Sequence, residues 1–119
     1  MAAYWIGLDL GQAQDYSALT VIERRQRQPA AYECRHIERF ALGTSYPTVV
    51  ERVLALLRQP PLDQAPLVID GTGVGRAVVE LFSRLGSRRV PVSITAGENA
   101  LFADGWWRVP KKELVGVVQ

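Results

Sequence analysis

Tyr4-Trp5-Ile6-Gly7-Leu8-Asp9-Leu10-Gly11 is an apolar run carrying one carboxylate near its end. Much later a second run answers it, Leu67-Val68-Ile69-Asp70-Gly71-Thr72-Gly73-Val74-Gly75. Both are rich in strand-forming residues and reach an aspartate just before a glycine turn. The two-residue period of a strand over 4–10 puts Tyr4, Ile6, Leu8 and Leu10 on one face and Trp5, Gly7 and Asp9 on the other. The rest of the chain reads as scaffolding that brings Asp9 and Asp70 together.

Outward from the first run, 11–16 carries turn chemistry, and 17–23 (SALTVIE) reads as a second strand in hairpin with the first. A third antiparallel strand is expected over 32–42. Thr44, Ser45 and Pro47 supply a helix start, and Val49, Val50, Val53, Leu54, Leu56 and Leu57 then recur at helical spacing until Pro60-Pro61. After the strand at 67–70, a helix from Gly75 is expected to bury Val74, Val78, Leu81, Phe82 and Leu85, with Gly86 ending it. A fifth strand covers 90–94, and Pro110 opens a last helix over 111–119. That helix stops mid-pattern, with no cap, glycine stop or polar tail, so the domain is expected to continue past Gln119.

The order is three strands, helix, strand, helix, strand, helix. A three-strand antiparallel meander followed by crossover units predicts an α/β fold: a mixed five-stranded sheet with two parallel strands added and helices on both faces. In it the first and fourth strands are parallel neighbours, so Asp9 and Asp70 emerge at one edge.

With 119 residues the chain fits one domain, 1–119, able to bury a core without disulfides or metals. The single Cys34 fits a reducing, cytoplasmic compartment, and no basic-then-apolar leader opens the chain. No apolar run approaches the ~18 residues of a membrane span. Net charge is only +2, but the cations are arginine except for Lys111 and Lys112, which suits bidentate phosphate contact.

Two carboxylates a few ångströms apart repel, and a hard cation such as Mg²⁺ or Mn²⁺ between them resolves this. In two-metal sites such ions activate a water and stabilise the leaving oxygen of a phosphodiester.

Residues 7–23 (GLDLGQAQDYSALTVIE), 68–82 (VIDGTGVGRAVVELF) and 109–115 (VPKKELV) together resemble the C-terminal nuclease domain of phage large terminase subunits. The resemblance implies an RNase H-like fold and a metal-dependent endonuclease that cuts concatemeric DNA during packaging. It implies double-stranded DNA as substrate, an ATPase motor and packaging machinery as partners, and Mg²⁺ or Mn²⁺ as cofactor. By it Asp9 and Asp70 take the positions of metal ligands and catalytic acids on the first and fourth strands. Asp15 falls at a hairpin position that is often acidic in the family and is counted with the metal set. The family's third acid is expected on a helix beyond 109–115 and would fall after Gln119, which implies an incomplete active site in this chain.

Plainer readings stand beside these. Asp9 and Asp15 also suit turns, and Asp70 suits capping of a tight strand-to-helix turn. The 71–75 glycines match neither the dinucleotide fingerprint nor a P-loop, though they could offer N–H groups to a phosphate. His36 reads as structural, Arg84, Arg88 and Arg89 as a solvated helix end or a DNA contact, and Trp106-Trp107 as packing on a sheet edge or as a base stack. Glu98, Asp104 and Glu113 are the remaining acids near the end that could join the pair. Two other functions compete. An actin-like or sugar-kinase nucleotide-binding subdomain would bind ATP saturably; a non-catalytic remnant would act only as an interaction module.

Overall fold

The computed structural model describes residues 3–12, 14–26, 29 and 31–112. They form seven strands: β1 (Ala3–Asp9), β2 (Ala18–Arg25), β3 (Ala31–Arg39), β4 (Leu67–Asp70), β5 (Arg89–Thr95), β6 (Leu101–Ala103) and β7 (Trp106–Pro110). Helix α1 is Tyr46–Leu57, and α2 is a single α-turn, Arg76–Val79, that continues as 3₁₀ helix over Glu80–Arg88. The strands make one sheet in the order β3-β2-β1-β4-β5-β7-β6. The pairs β1–β2, β2–β3 and β6–β7 are antiparallel; β1–β4, β4–β5 and β5–β7 are parallel.

The expected meander and parallel pair are therefore present, with two more strands than anticipated. These arise from the stretch around 101–110. Asp104 and Gly105 both have positive φ, 55° and 80°, and join Ala103 to Trp106 through a two-residue turn. This is the hairpin geometry that an Asp-Gly pair favours.

The period of two in β1 holds. Ile6, Leu8 and Leu10 are buried, and so are their sheet neighbours Leu19, Val21, Leu67 and Ile69. This face meets Val49, Val50, Val53, Leu54 and Leu57 of α1 and Val79, Phe82 and Leu85 of the second helical segment. Both crossovers step across the sheet in the same direction, so a single handedness lays the described helical segments on one face, where helices on both faces were expected. Arg84 and Glu51 bridge them at 2.7 Å. Helix α1 starts as expected, with the Ser45 side chain accepting from Thr48 N–H and proline in the first turn.

The second crossover corrects the expected apolar face. Leu81 is 41% exposed, while Val79, Phe82 and Leu85 are buried. Their spacing of three is the period of a 3₁₀ helix, which this segment adopts after its first turn. Gly86, where the segment was expected to end, breaks it with non-helical dihedrals, and a last turn runs on to Arg88. Of the helix expected over 111–119, Lys111 and Lys112 are helical and the remainder lies outside the described residues. Among the described residues no helix is long and apolar enough to cross a membrane.

Candidate metal centre

Asp9 and Asp70 are the last residues of β1 and β4, and they are register partners in the parallel pair. Register partners project from the same face, with strands about 4.8 Å apart. Because Leu8 and Ile69 point into the core, both aspartates point the other way, to the face without α1 and α2. Leu10 N–H donates to the Asp70 carbonyl at 3.1 Å, so the pairing runs past the carboxylates and fixes their relative height.

The two side chains are held differently. Asp70 Oδ1 accepts from Thr72 N–H at 3.0 Å and from the Thr72 hydroxyl at 2.5 Å. The same hydroxyl oxygen accepts from Ile94 N–H at 2.8 Å, which commits its proton to Asp70. Thus a β5 amide orients Thr72, and Thr72 orients the carboxylate. Among the described residues no donor reaches the second oxygen of Asp70 or either oxygen of Asp9. Burial raises the Asp9 pKa above the ordinary carboxylate value, and the negative charges of Asp70 and then Asp15 push it the same way.

Gly71 supports this from behind. A Cβ there would lie 2.8 Å from the Trp106 ring and 2.9 Å from Val79, so only glycine lets Trp106 close in beneath the turn after Asp70. In front, Gly7, Asp9, Ala18, Thr20, Val68 and Asp70 line an open depression of about 280 Å³. Its small side chains leave space beside the carboxylates.

Asp15 is exposed in the loop after β1 and lines a neighbouring depression of about 320 Å³ with Gln12, Ser17 and the start of α1. Its charge reaches Asp9, but it does not share the Asp9–Asp70 depression. The loop is tied down by Gly11 N–H donating to Ser17 Oγ at 3.0 Å and by the Tyr46 hydroxyl donating to the Gly11 carbonyl at 2.7 Å.

Other sequence candidates lie elsewhere. His36 pairs with Glu38 at 3.1 Å. Arg84, Arg88 and Arg89 bond to Glu51, the Asp63 carbonyl and Glu80, so all three are engaged within the chain. Glu98 pairs with Lys112, Asp104 sits in the β6–β7 turn, and Glu113 lies outside the described residues. No group of three acidic, histidine or cysteine side chains poised for a metal exists among the described residues. The amides of Gly71, Thr72 and Val74 are spent on Val92, Asp70 and Gly71, which leaves little of the 71–75 loop for a phosphate.

Thr72 was missed from the sequence, although Asp-Gly-Thr is a local pattern in which a hydroxyl and amide two residues on return to the carboxylate. What the site offers is two neighbouring carboxylates, three oxygens without donors among the described residues, and an open approach. That donor set suits a hard divalent cation.

Solved nuclease structures are similar to the chain. The large terminase nuclease from thermophilic phage G20c with bound magnesium matches with a TM-score of 0.56 and 32% identity, over 76% of this chain and 43% of that one. The same nuclease with bound zinc matches with a TM-score of 0.54 and 32% identity, over 76% of this chain and 47% of that one. The chain therefore spans less than half the length of the nucleases it matches. No protein-family model and no curated protein matches it. The seven-stranded sheet with its crossover helices is the RNase H-like α/β fold.

Proposed function

We propose that this chain, similar in fold and sequence to the phage large terminase nucleases, is a metal-dependent DNA endonuclease domain centred on Asp9 and Asp70. The observation that carries the reading is the register pairing of Asp9 with Asp70 on one open face, with most of their oxygens free of donors among the described residues. Burial and mutual repulsion make that arrangement costly without a cation, and Mg²⁺ or Mn²⁺ supplies the missing charge. Asp9 and Asp70 would hold it, with Asp15 adding negative charge from the adjoining loop. When bound, such an ion activates a water and stabilises the leaving oxygen of a phosphodiester. Thr72 keeps Asp70 in one rotamer, and the bare floor of Gly7 and Ala18 leaves room for a phosphate.

The substrate on this reading is double-stranded DNA, cut from concatemers during packaging in the host cytoplasm. The partners are an ATPase motor and the packaging machinery. The fold shared with the G20c nuclease, solved with magnesium and with zinc, supports the cation and the nucleic acid class.

Titration calorimetry with Mn²⁺ is the test. Asp9→Asn and Asp70→Asn are each expected to weaken binding at least tenfold with the circular dichroism spectrum intact, and Asp15→Asn to weaken it less. Unchanged affinity in both of the first two variants sinks the reading.

A further inference from the structure

The registers connect the acid pair to a second feature. Asp9 opposes Asp70, Asp70 opposes Val92, Val92 opposes Trp107, and Trp107 opposes Phe102. Laterally opposed residues project from the same face, so these five form one row across β1, β4, β5, β7 and β6. Trp106 confirms the sidedness: one position earlier in β7, its ring lies on the opposite face against Gly71 and Val79. The neighbouring tryptophans therefore have separate fates, one packed and one presented.

Trp107 is 41% exposed and Phe102 56% exposed, their ring centroids 5.1 Å apart and tilted by 54°. Large aromatic side chains left open on the edge strand β6 and its neighbour β7 gain little from the core. Two strand spacings, about 10 Å, separate Trp107 from Asp70. On the far side of the acids the row continues through Ala18 to Arg39, whose guanidinium lies 4.2 Å over the Tyr16 ring. Acids that suit a cation and phosphate thus have a cation on one flank and an aromatic pair on the other.

A nucleic acid strand is the occupant that uses all of these. Its phosphate belongs at the acids and Arg39, and the face of a base belongs on Trp107 and Phe102, because every base offers a π-face to such a platform. A continuous duplex keeps its bases stacked inside and has no face to give. We propose that Phe102 and Trp107 form a base-stacking platform for the Asp9–Asp70 site. Within the double-stranded substrate, the site then favours a segment that carries an unpaired or splayed base a nucleotide or two from the scissile phosphate over one that is continuously paired. This rests on the nuclease reading above.

The test is fluorescence anisotropy of labelled oligothymidine and of a blunt duplex with the 119-residue chain in EDTA, so that no metal contributes. Trp107→Ala and Phe102→Ala are each expected to weaken single-strand binding about tenfold and to change duplex binding less than twofold. Trp107→Phe, which keeps a ring and the fold, is expected to stay within about threefold of the parent. Equal losses on both DNAs, no loss on either, or loss of self-association on gel filtration in place of DNA binding each overturn the platform. Mn²⁺ affinity separates the two proposals. If stacking fails while Asp9→Asn still weakens metal binding at least tenfold, the nuclease reading stands alone. If Asp9→Asn and Asp70→Asn leave metal binding unchanged, that reading fails whatever the anisotropy shows.

Discussion

Glu38 and Asp9 show opposite ways in which a single carboxylate answers its surroundings. Arg52 grips Glu38 with three hydrogen bonds of 2.8 to 3.2 Å, and His36 adds another, holding its pKa down at about 2. A depressed value means stability that is present above the ordinary value of 4.5 and lost as pH falls from there toward 2. Glu38→Gln is expected to flatten the acid limb of a stability–pH curve measured by urea unfolding, and to cost under about 1 kcal/mol at pH 7 because the pair is partly solvated. Asp9 is raised instead, so its ionised form costs the fold stability at neutral pH, the cost a cation would relieve. Asp9 was legible in the sequence because an acid inside an apolar strand is itself a signal. The grip of Arg52 on Glu38 was not, because strand and helix meet there only through tertiary packing.

At the scale of elements, β1 and α1 were readable because each repeats its apolar positions at one clear period, and β4 because a short apolar run ends at Asp70-Gly71. The second crossover was misread because its true period is three, and a helical reading at 3.6 takes Leu81 into the core and leaves Val79 out. The two readings differ measurably. Phe82→Ala is expected to cost about 3–5 kcal/mol, and Leu81→Ala under about 1 kcal/mol, by denaturant unfolding. A large loss at Leu81 would restore the α-helical face. The β6–β7 hairpin escaped notice because three residues are too few to show alternation. Its one signal was the Asp104–Gly105 dipeptide, and that turn now sets which tryptophan packs and which stands free.

For the whole molecule, chain order alone predicted that the first and fourth strands lie side by side, and hence that Asp9 meets Asp70. What it did not predict was the lateral row, because registers between non-consecutive strands depend on where each begins. Metal binding should act on the entire fold by mass action. Mn²⁺ at a hundred times its dissociation constant is expected to add about 2.7 kcal/mol to the native chain, read as a higher melting temperature than in EDTA. Asp9→Asn should gain about half as much or less, yet melt slightly above the native chain in EDTA, since one of the mutually repelling charges is gone. Identical metal-induced shifts in both proteins would contradict the site.

The parallel pairing of β1 with β4 also fixes an order of events. Asp9 is made among the first residues, but its partner follows only after β2, β3 and α1 have been laid down. A nascent or half-folded chain holds one isolated carboxylate and no cation site. On the reading proposed above, the capacity to bind metal would therefore appear only when the first crossover has closed, so topology alone would keep the site from every unfinished copy.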